Sequence, residues 1–194
     1  MANKEIGDLT AAAALTGDEE VHALQGANSR RLKLPGTWRL HDTWDHAVDG
    51  DSASAAFTGL AGAQDILIEA DDVTKSVSGL LNLELSTDNG STYRATVGDY
   101  EQVAEAGTVT AAAAAANLHV TNATGARSGA AIIHAANVSG APKVIEAINR
   151  VSDNRMRYFL QSLDPVNACQ VVPSAGGNLT GGKIYCLVRG KAAT

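Results

Sequence analysis

Leu81, Leu83 and Leu85 alternate with Asn82, Glu84 and Ser86, and this stretch limits the fold more than any other part of the chain. In an extended strand successive side chains point to opposite faces, so the three leucines share one face and the polar groups the other. A half-buried strand follows. Asp88, Asn89 and Gly90 come next and tolerate the positive φ of a tight turn, after which Ser91, Thr92 and Tyr93 favour β structure again. Residues 80–93 therefore predict a β-hairpin, with 93–97 as the returning strand.

The same reading applied from Thr37 onward predicts a series of short strands. They cover 38–47, 64–70 with Ile66 and Ile68 inward, 80–87, 93–97, 118–121, 130–136, 143–151, 156–163, 168–172 and 183–189. In the last, Ile184, Cys186 and Val188 point one way while Lys183, Tyr185 and Arg189 point the other. Residues 110–118 contain six consecutive alanines and are ambiguous, because alanine favours helix yet no amphipathic stripe is present to dock one. A loop or short helical turn is expected there. About eight to ten strands separated by Gly, Asn and Asp turns, without helices long enough for βαβ crossovers, fit an all-β antiparallel jelly-roll-like sandwich.

Residues 1–36 read differently from the 37–194 domain. Asp8 can cap a short helix over 10–15, Thr16, Gly17 and Asp18 break it, and residues 20–24 alternate weakly before Gln25 and Gly26 turn the chain. So short a segment, poor in large apolar residues, buries no core of its own. It is expected to be mostly irregular and to serve as an attachment element.

Composition narrows the function. With 194 residues the chain suits one main domain, and with only 4% aromatic residues its core must come from small and β-branched side chains. The net charge of −6 disfavours a nucleic-acid partner, which needs a basic stripe, and only Arg30, Arg31 and Lys33 cluster. No run of about 18 apolar residues and no cationic start followed by an apolar block is present, so neither membrane insertion nor secretion is expected. Synthesis in the cytoplasm follows, where Cys169 and Cys186 would stay reduced and buried; a bond between them would need their strands side by side. Asn-x-Ser/Thr triplets at Asn89, Asn122, Asn137 and Asn178 carry no weight without secretion.

Three stretches invite a chemical reading. Residues 177–183 have the spacing of a phosphate-binding loop, but Ile184 stands where a Mg²⁺-binding Ser or Thr belongs, and a strand follows where a helix is required. His41, Asp42, Asp45 and His46 split between the two faces of a strand and cannot converge on one ion without a bend, and Asp49-Gly50-Asp51 lacks calcium-loop spacing. No Gly-x-Ser-x-Gly elbow occurs, and His119 and His134 on strands read as structural histidines. No catalytic residue, metal or cofactor is expected. Binding has more support: Trp38 and Trp44, six apart, share a face of an ideal strand, and Arg155 and Arg157, with Arg150, flank a turn at Asp153 and Asn154. Core packing of the tryptophans and a solvated arginine loop are the simpler readings.

The strings LSTDNGSTY, GDY at 98–100 and GGNLTGGKIYCLVRG near the C-terminus are similar to the β-sandwich domain of structural proteins from tailed bacteriophages and gene-transfer-agent-like particles. IGDLTAAAALTGDEEVHALQGANSRRLKL resembles a segment of virion fibre proteins, and the two resemblances together cover most of the chain. They imply a non-enzymatic virion protein of tail-fibre or spike type, made in the bacterial host cytoplasm. Its N-terminus would dock through Leu9, Leu15, Val21, Leu24, Arg30, Arg31 and Leu32 to other virion proteins of tail or head. The sandwich would associate with itself, a trimer being the usual fibre state, and meet a host cell-surface polysaccharide through Trp38, Trp44, Arg155 and Arg157. A head decoration or cement protein is the alternative; a free carbohydrate-binding or hydrolytic domain is the third.

Overall fold

The computed structural model describes residues 20–25, 28–33, 37–103, 109–119, 126–149 and 155–190. In chain order the elements are β1 (Glu20–Gln25), β2 (Asn28–Lys33), β3 (Arg39–Asp45), α1 (His46–Asp49), β4 (Ala55–Phe57), β5 (Asp65–Lys75) and β6 (Leu81–Ser86). There follow β7 (Tyr100–Val103), β8 (Val109–Ala113), β9 (Ala116–His119), β10 (Arg127–His134), β11 (Lys143–Asn149), β12 (Arg155–Leu160), β13 (Ala168–Pro173) and β14 (Leu179–Arg189). The fold is all-β and every strand pairing is antiparallel. Eight strands form one sheet in the order β3-β14-β5-β10-β11-β12-β7-β8, and four form another in the order β4-β13-β6-β9.

A single apolar core joins the two sheets. Leu81, Leu83 and Leu85 of β6 are buried, as the alternation requires, and meet Ile66 and Ile68 of β5, Ile133 of β10, Ile145 of β11 and Tyr158 of β12 from the larger sheet. Ile184, Cys186 and Val188 of β14 also face inward. Tyr100 is buried with them, and its hydroxyl accepts the Leu85 amide at 2.8 Å, tying one sheet to the other. Burial pushes its phenol well above the usual range.

Two bulges explain where simple alternation breaks. In β5 the inward set is Ile66, Ile68 and Ala70, then Val73 and Lys75. The parity changes because Asp72 adopts φ 50° and Gly182 opposite it φ 84°. An extra residue at Asp72 turns each later side chain to the other face. The second bulge lies in β3, where Asp42 pairs with Cys186 but Leu40 with Leu187, so His41 is the unpaired extra residue.

Several expectations are corrected. No strand runs through 93–97: residues 87–99 are a loop, and β6 pairs instead with β13 and β9. The loop satisfies its own backbone, since the Ser86 hydroxyl accepts the amides of Asp88 and Gly90 and the Asp88 carboxylate accepts that of Thr92 at 2.8 Å. Asn89 and Gly90 do take positive φ, but the turn leads the chain across to β7 in the other sheet. The alanine run is not a helix: Ala111, Ala112 and Ala113 end β8, Ala114 and Ala115 form a bend, and Ala116 starts β9. The strand expected over 38–47 stops at Asp45, which caps α1 by accepting the Ala47 amide at 3.0 Å.

Residues 20–33 contain β1 and β2, paired as a two-stranded sheet where irregular chain was expected. The helix expected over 10–15 and the residues Leu9 and Leu15 lie outside the described residues.

Candidate interaction face

One face of the larger sheet lies against the smaller sheet; the other carries the feature most suited to binding. Register and burial together identify its side chains. Leu40, Leu187, Leu67 and Ile132 lie side by side on four neighbouring strands, β3, β14, β5 and β10. Leu40 is 58% exposed and the other three are half-buried. The row ends at Ile132, whose partner on β11 is Glu146; Val144 and Phe159, paired on β11 and β12, form a separate apolar pair beside His134, and Tyr185 borders the row. Strands buried on one side ordinarily alternate with polar residues on the other, so an aliphatic row on the outer side departs from the pattern of a solvated sheet.

Charged groups frame the band. Asp65 at the start of β5 is 4% exposed and accepts from Arg189 through Nε at 2.9 Å and Nη2 at 2.5 Å, and from the Ala135 amide at 3.1 Å. The Arg189 guanidinium in turn lies 5.0 Å from the centre of the Trp38 ring. His134 sits between Asp65 (3.6 Å) and Glu146 (3.5 Å), and Glu146 accepts from Arg157 at 2.8 Å. That hydrogen bond holds the Glu146 carboxyl below its ordinary value. The network runs Trp38–Arg189–Asp65–His134–Glu146–Arg157 across five strands and fixes the rim of the band.

Among the described residues each of the two larger sheets has two end strands. β3 and β8 end the larger sheet, β4 and β9 the smaller one. β3 has no second strand partner among the described residues and carries exposed Leu40, while its Thr43 and Asp45 amides are taken by the Asp42 and Asp49 carboxylates at 2.8 Å, which blunts that edge.

The four expected surface contacts separate. Trp44 is 7% exposed in the core, and its Nε1 is the buried side-chain polar atom without a partner among the described residues. It is no surface residue. Trp38 precedes β3 and is half-buried against Arg189; the His41 bulge puts it on the opposite face from Trp44, which corrects the shared-face expectation. Arg157 is exposed and ion-paired, and Arg155 begins β12 without a described side chain. In the hairpin, Val21 lies opposite Leu32, Ala23 opposite Arg30, His22 opposite Arg31 and Leu24 opposite Ser29.

The acidic and histidine cluster near α1 is used locally. His41 Nε2 donates to the Thr58 carbonyl at 2.9 Å, His46 contacts Asp51 at 2.9 Å, and Lys183 binds Asp45 at 2.6 Å. Lys183 holds Asp45 below the usual carboxylate range. Among the described residues no group of three His, Cys, Asp or Glu is placed to hold a metal ion. The glycine-rich 177–183 segment runs into β14 with Gly182 as its bulge, so no helix follows the phosphate-loop spacing. No described helix is long and apolar enough to cross a membrane.

The band was not read from the sequence. Its signal is present: Leu67, Ile132, Val144, Phe159 and Leu187 interrupt the polar half of their strands, where alternation alone would place solvated residues. No protein-family model matches the chain, and no curated protein matches it.

Proposed function

We propose that this chain is a non-enzymatic structural component of a bacteriophage or gene-transfer-agent-like particle, a tail fibre or spike built by association of identical subunits. The observation that carries the reading is the outward apolar row of the larger sheet, rimmed by fixed charges and ending at exposed Leu40 on β3. Covering such a face with a copy of itself removes exposed Leu40 and the half-buried aliphatic row from water together. The chain crosses between the two sheets repeatedly, at β3–β4, β4–β5, β5–β6, β6–β7, β8–β9, β9–β10, β12–β13 and β13–β14. That winding supports a jelly-roll-like sandwich as the projecting unit.

Polarity supports the attachment role of residues 1–36. β3 and β14 pair Arg39 with Val188, so the chain enters at residue 37 and leaves after Arg189 at the same pole. The pole remote from the entry presents α1 and the loops at 76–80 and 174–178, joined by hydrogen bonds such as Leu80 N to Ser174 Oγ at 2.8 Å. An N-terminal dock therefore leaves those loops outermost, where many weak contacts to a host polysaccharide sum through subunit symmetry. Trp38 lies at the docking pole and Trp44 in the core, so glycan contact falls to the remote loops.

A head-decoration or cement role is the second reading, favoured by exposed Val97, Val138 and Leu163 on loops at the entry pole. Electron microscopy of particles produced with and without this chain separates the two. A missing projection with loss of cell binding supports the fibre or spike; intact projections with particles that burst more readily support cement. Particles unchanged in both respects overturn the assignment.

A further inference from the structure

Asn89 precedes Gly90, and no other asparagine of the chain is followed by glycine. Glycine carries no side chain to shield its backbone nitrogen, and that nitrogen can close a five-membered ring on the side-chain carbonyl carbon of the residue before it. Asn89 is exposed in the loop of residues 87–99, in the left-handed conformation with φ 59°. Its Oδ1 accepts the Gly59 amide at 2.8 Å, and its own amide donates to Asn167 Oδ1 at 2.6 Å. These bonds tie the loop to the chain after β4 and to the chain before β13. A third restrains the attacking atom: the Gly90 amide donates to Ser86 Oγ at 3.0 Å.

We propose that Asn89 is a modification site, deamidated in water by attack of the Gly90 backbone nitrogen and converted mainly to isoaspartate, which frees the β6–β7 connection. The inference does not depend on the particle role. Gly90 N loses its proton to solvent base and bonds to Asn89 Cγ, whose oxygen takes up the developing negative charge. The Gly59 N–H already donates to that oxygen, where a stabilising donor is needed. The Cγ–Nδ2 bond then breaks, the nitrogen leaves as ammonia with a proton from water, and a succinimide ring remains. Water opens the ring on either side of Gly90 N. Opening at Cγ gives aspartate; opening at the Asn89 main-chain carbonyl carbon gives isoaspartate. No oxidant or reductant is consumed.

The two products differ in what they keep. Aspartate retains the backbone and an acceptor for Gly59, whereas isoaspartate routes the main chain through Cγ and lengthens it, so the left-handed turn and both anchors are lost. Folding sets the rate. In the native loop Gly90 N–H is directed at Ser86, whose hydroxyl is itself held by the Asp88 carboxylate at 2.6 Å, so attack on Cγ waits on local opening of the loop.

The test ages the full chain in mildly alkaline, ammonia-free buffer, beside a sample unfolded in urea, and follows both by peptide mass and isoaspartate analysis. Expected are exchange of NH₂ for OH at residue 89 with ammonia released in step, isoaspartate as the main product, and no exchange at Asn137 or Asn178 in the same time. The unfolded sample should convert faster, and the isoaspartate fraction of the folded one should melt below fresh protein. Ser86→Ala should age roughly fivefold faster, the effect of losing one ordinary hydrogen bond. Asn167→Ala, which removes a separate tie on Asn89, should also age faster and reads the same restraint if Ser86→Ala does not fold. Asn89→Asp should show no exchange at residue 89 and melt with the fresh parent. No exchange at residue 89 of the folded chain, exchange spread over other asparagines, folded variants that age no faster than the parent, or an isoaspartate fraction that melts with fresh protein would each overturn the proposal.

Discussion

Lys143 shows how a buried ammonium can be held in a core chiefly by backbone carbonyls. It is fully buried, and its ammonium donates to the carbonyls of Val138, Ala141 (2.6 Å) and Leu163 (3.4 Å), stitching the loops that follow β10 and β12. Burial lowers its pKa, so the charged form is disfavoured by folding and its contribution to stability improves as pH rises through the depressed value toward 10.5. Lys143→Met removes the charge but leaves buried carbonyls unpaired, so urea denaturation should show a loss of about 1–3 kcal/mol. Glu146 behaves in the opposite sense. Its carboxyl is held below 4.5 chiefly by Arg157, so the stability it adds is present above that value and is lost as pH falls through the folded value. Both partners are substantially exposed, so Arg157→Ala should cost only about 0.5 kcal/mol near neutrality and nothing measurable near pH 2, as read from paired denaturation curves.

At the scale of elements, the bulges matter more than any single strand. Gly182 has φ 84°, and a Cβ there would stand 2.5 Å from the Asp71 carbonyl oxygen and 2.6 Å from the Asp72 carbonyl carbon. Gly62 has a similar φ of 83° with open space around it. Gly62→Ala should therefore cost about 1–2 kcal/mol from backbone strain alone. Gly182→Ala should cost clearly more in the same thermal or urea measurement, because the clash is with backbone that cannot swing aside. Equal losses would mean that the β5–β14 bulge relaxes freely. The strands most readable in the sequence were those with large side chains at strict period two, β6, the first half of β5 and the end of β14. Ala111 to Ala116 offered no such contrast, and Tyr93 onward satisfied its turn chemistry without continuing into a strand.

For the whole molecule, the proposed association would cover the apolar row and its Leu40 end. Leu40 is exposed on an edge strand, so Leu40→Glu should leave folding within about 0.5 kcal/mol of the parent. Ile132→Glu places a charge at the other end of the row, opposite Glu146. Light scattering on purified protein should show an oligomer for the parent, a trimer by the fibre reading, and lower mass for both variants. A mass unchanged by either substitution would remove this face from the assembly. The candidate face was hidden in the sequence because it is made by register: Leu40, Leu187, Leu67 and Ile132 are far apart in the chain and meet only when four strands align.

From its sequence alone, this protein is committed to short antiparallel strands, to the inward faces of the leucines and isoleucines, and to an all-β class. Those properties are local, since alternation within one strand suffices to decide which side leaves water. Tertiary structure alone decided that β6 would pair with β13 and β9, and that Trp44 would be core and Trp38 rim. Each of these depends on backbone partners distant in the chain and on bulges at His41 and Asp72 that invert every later face, and neither has a signature in residue type.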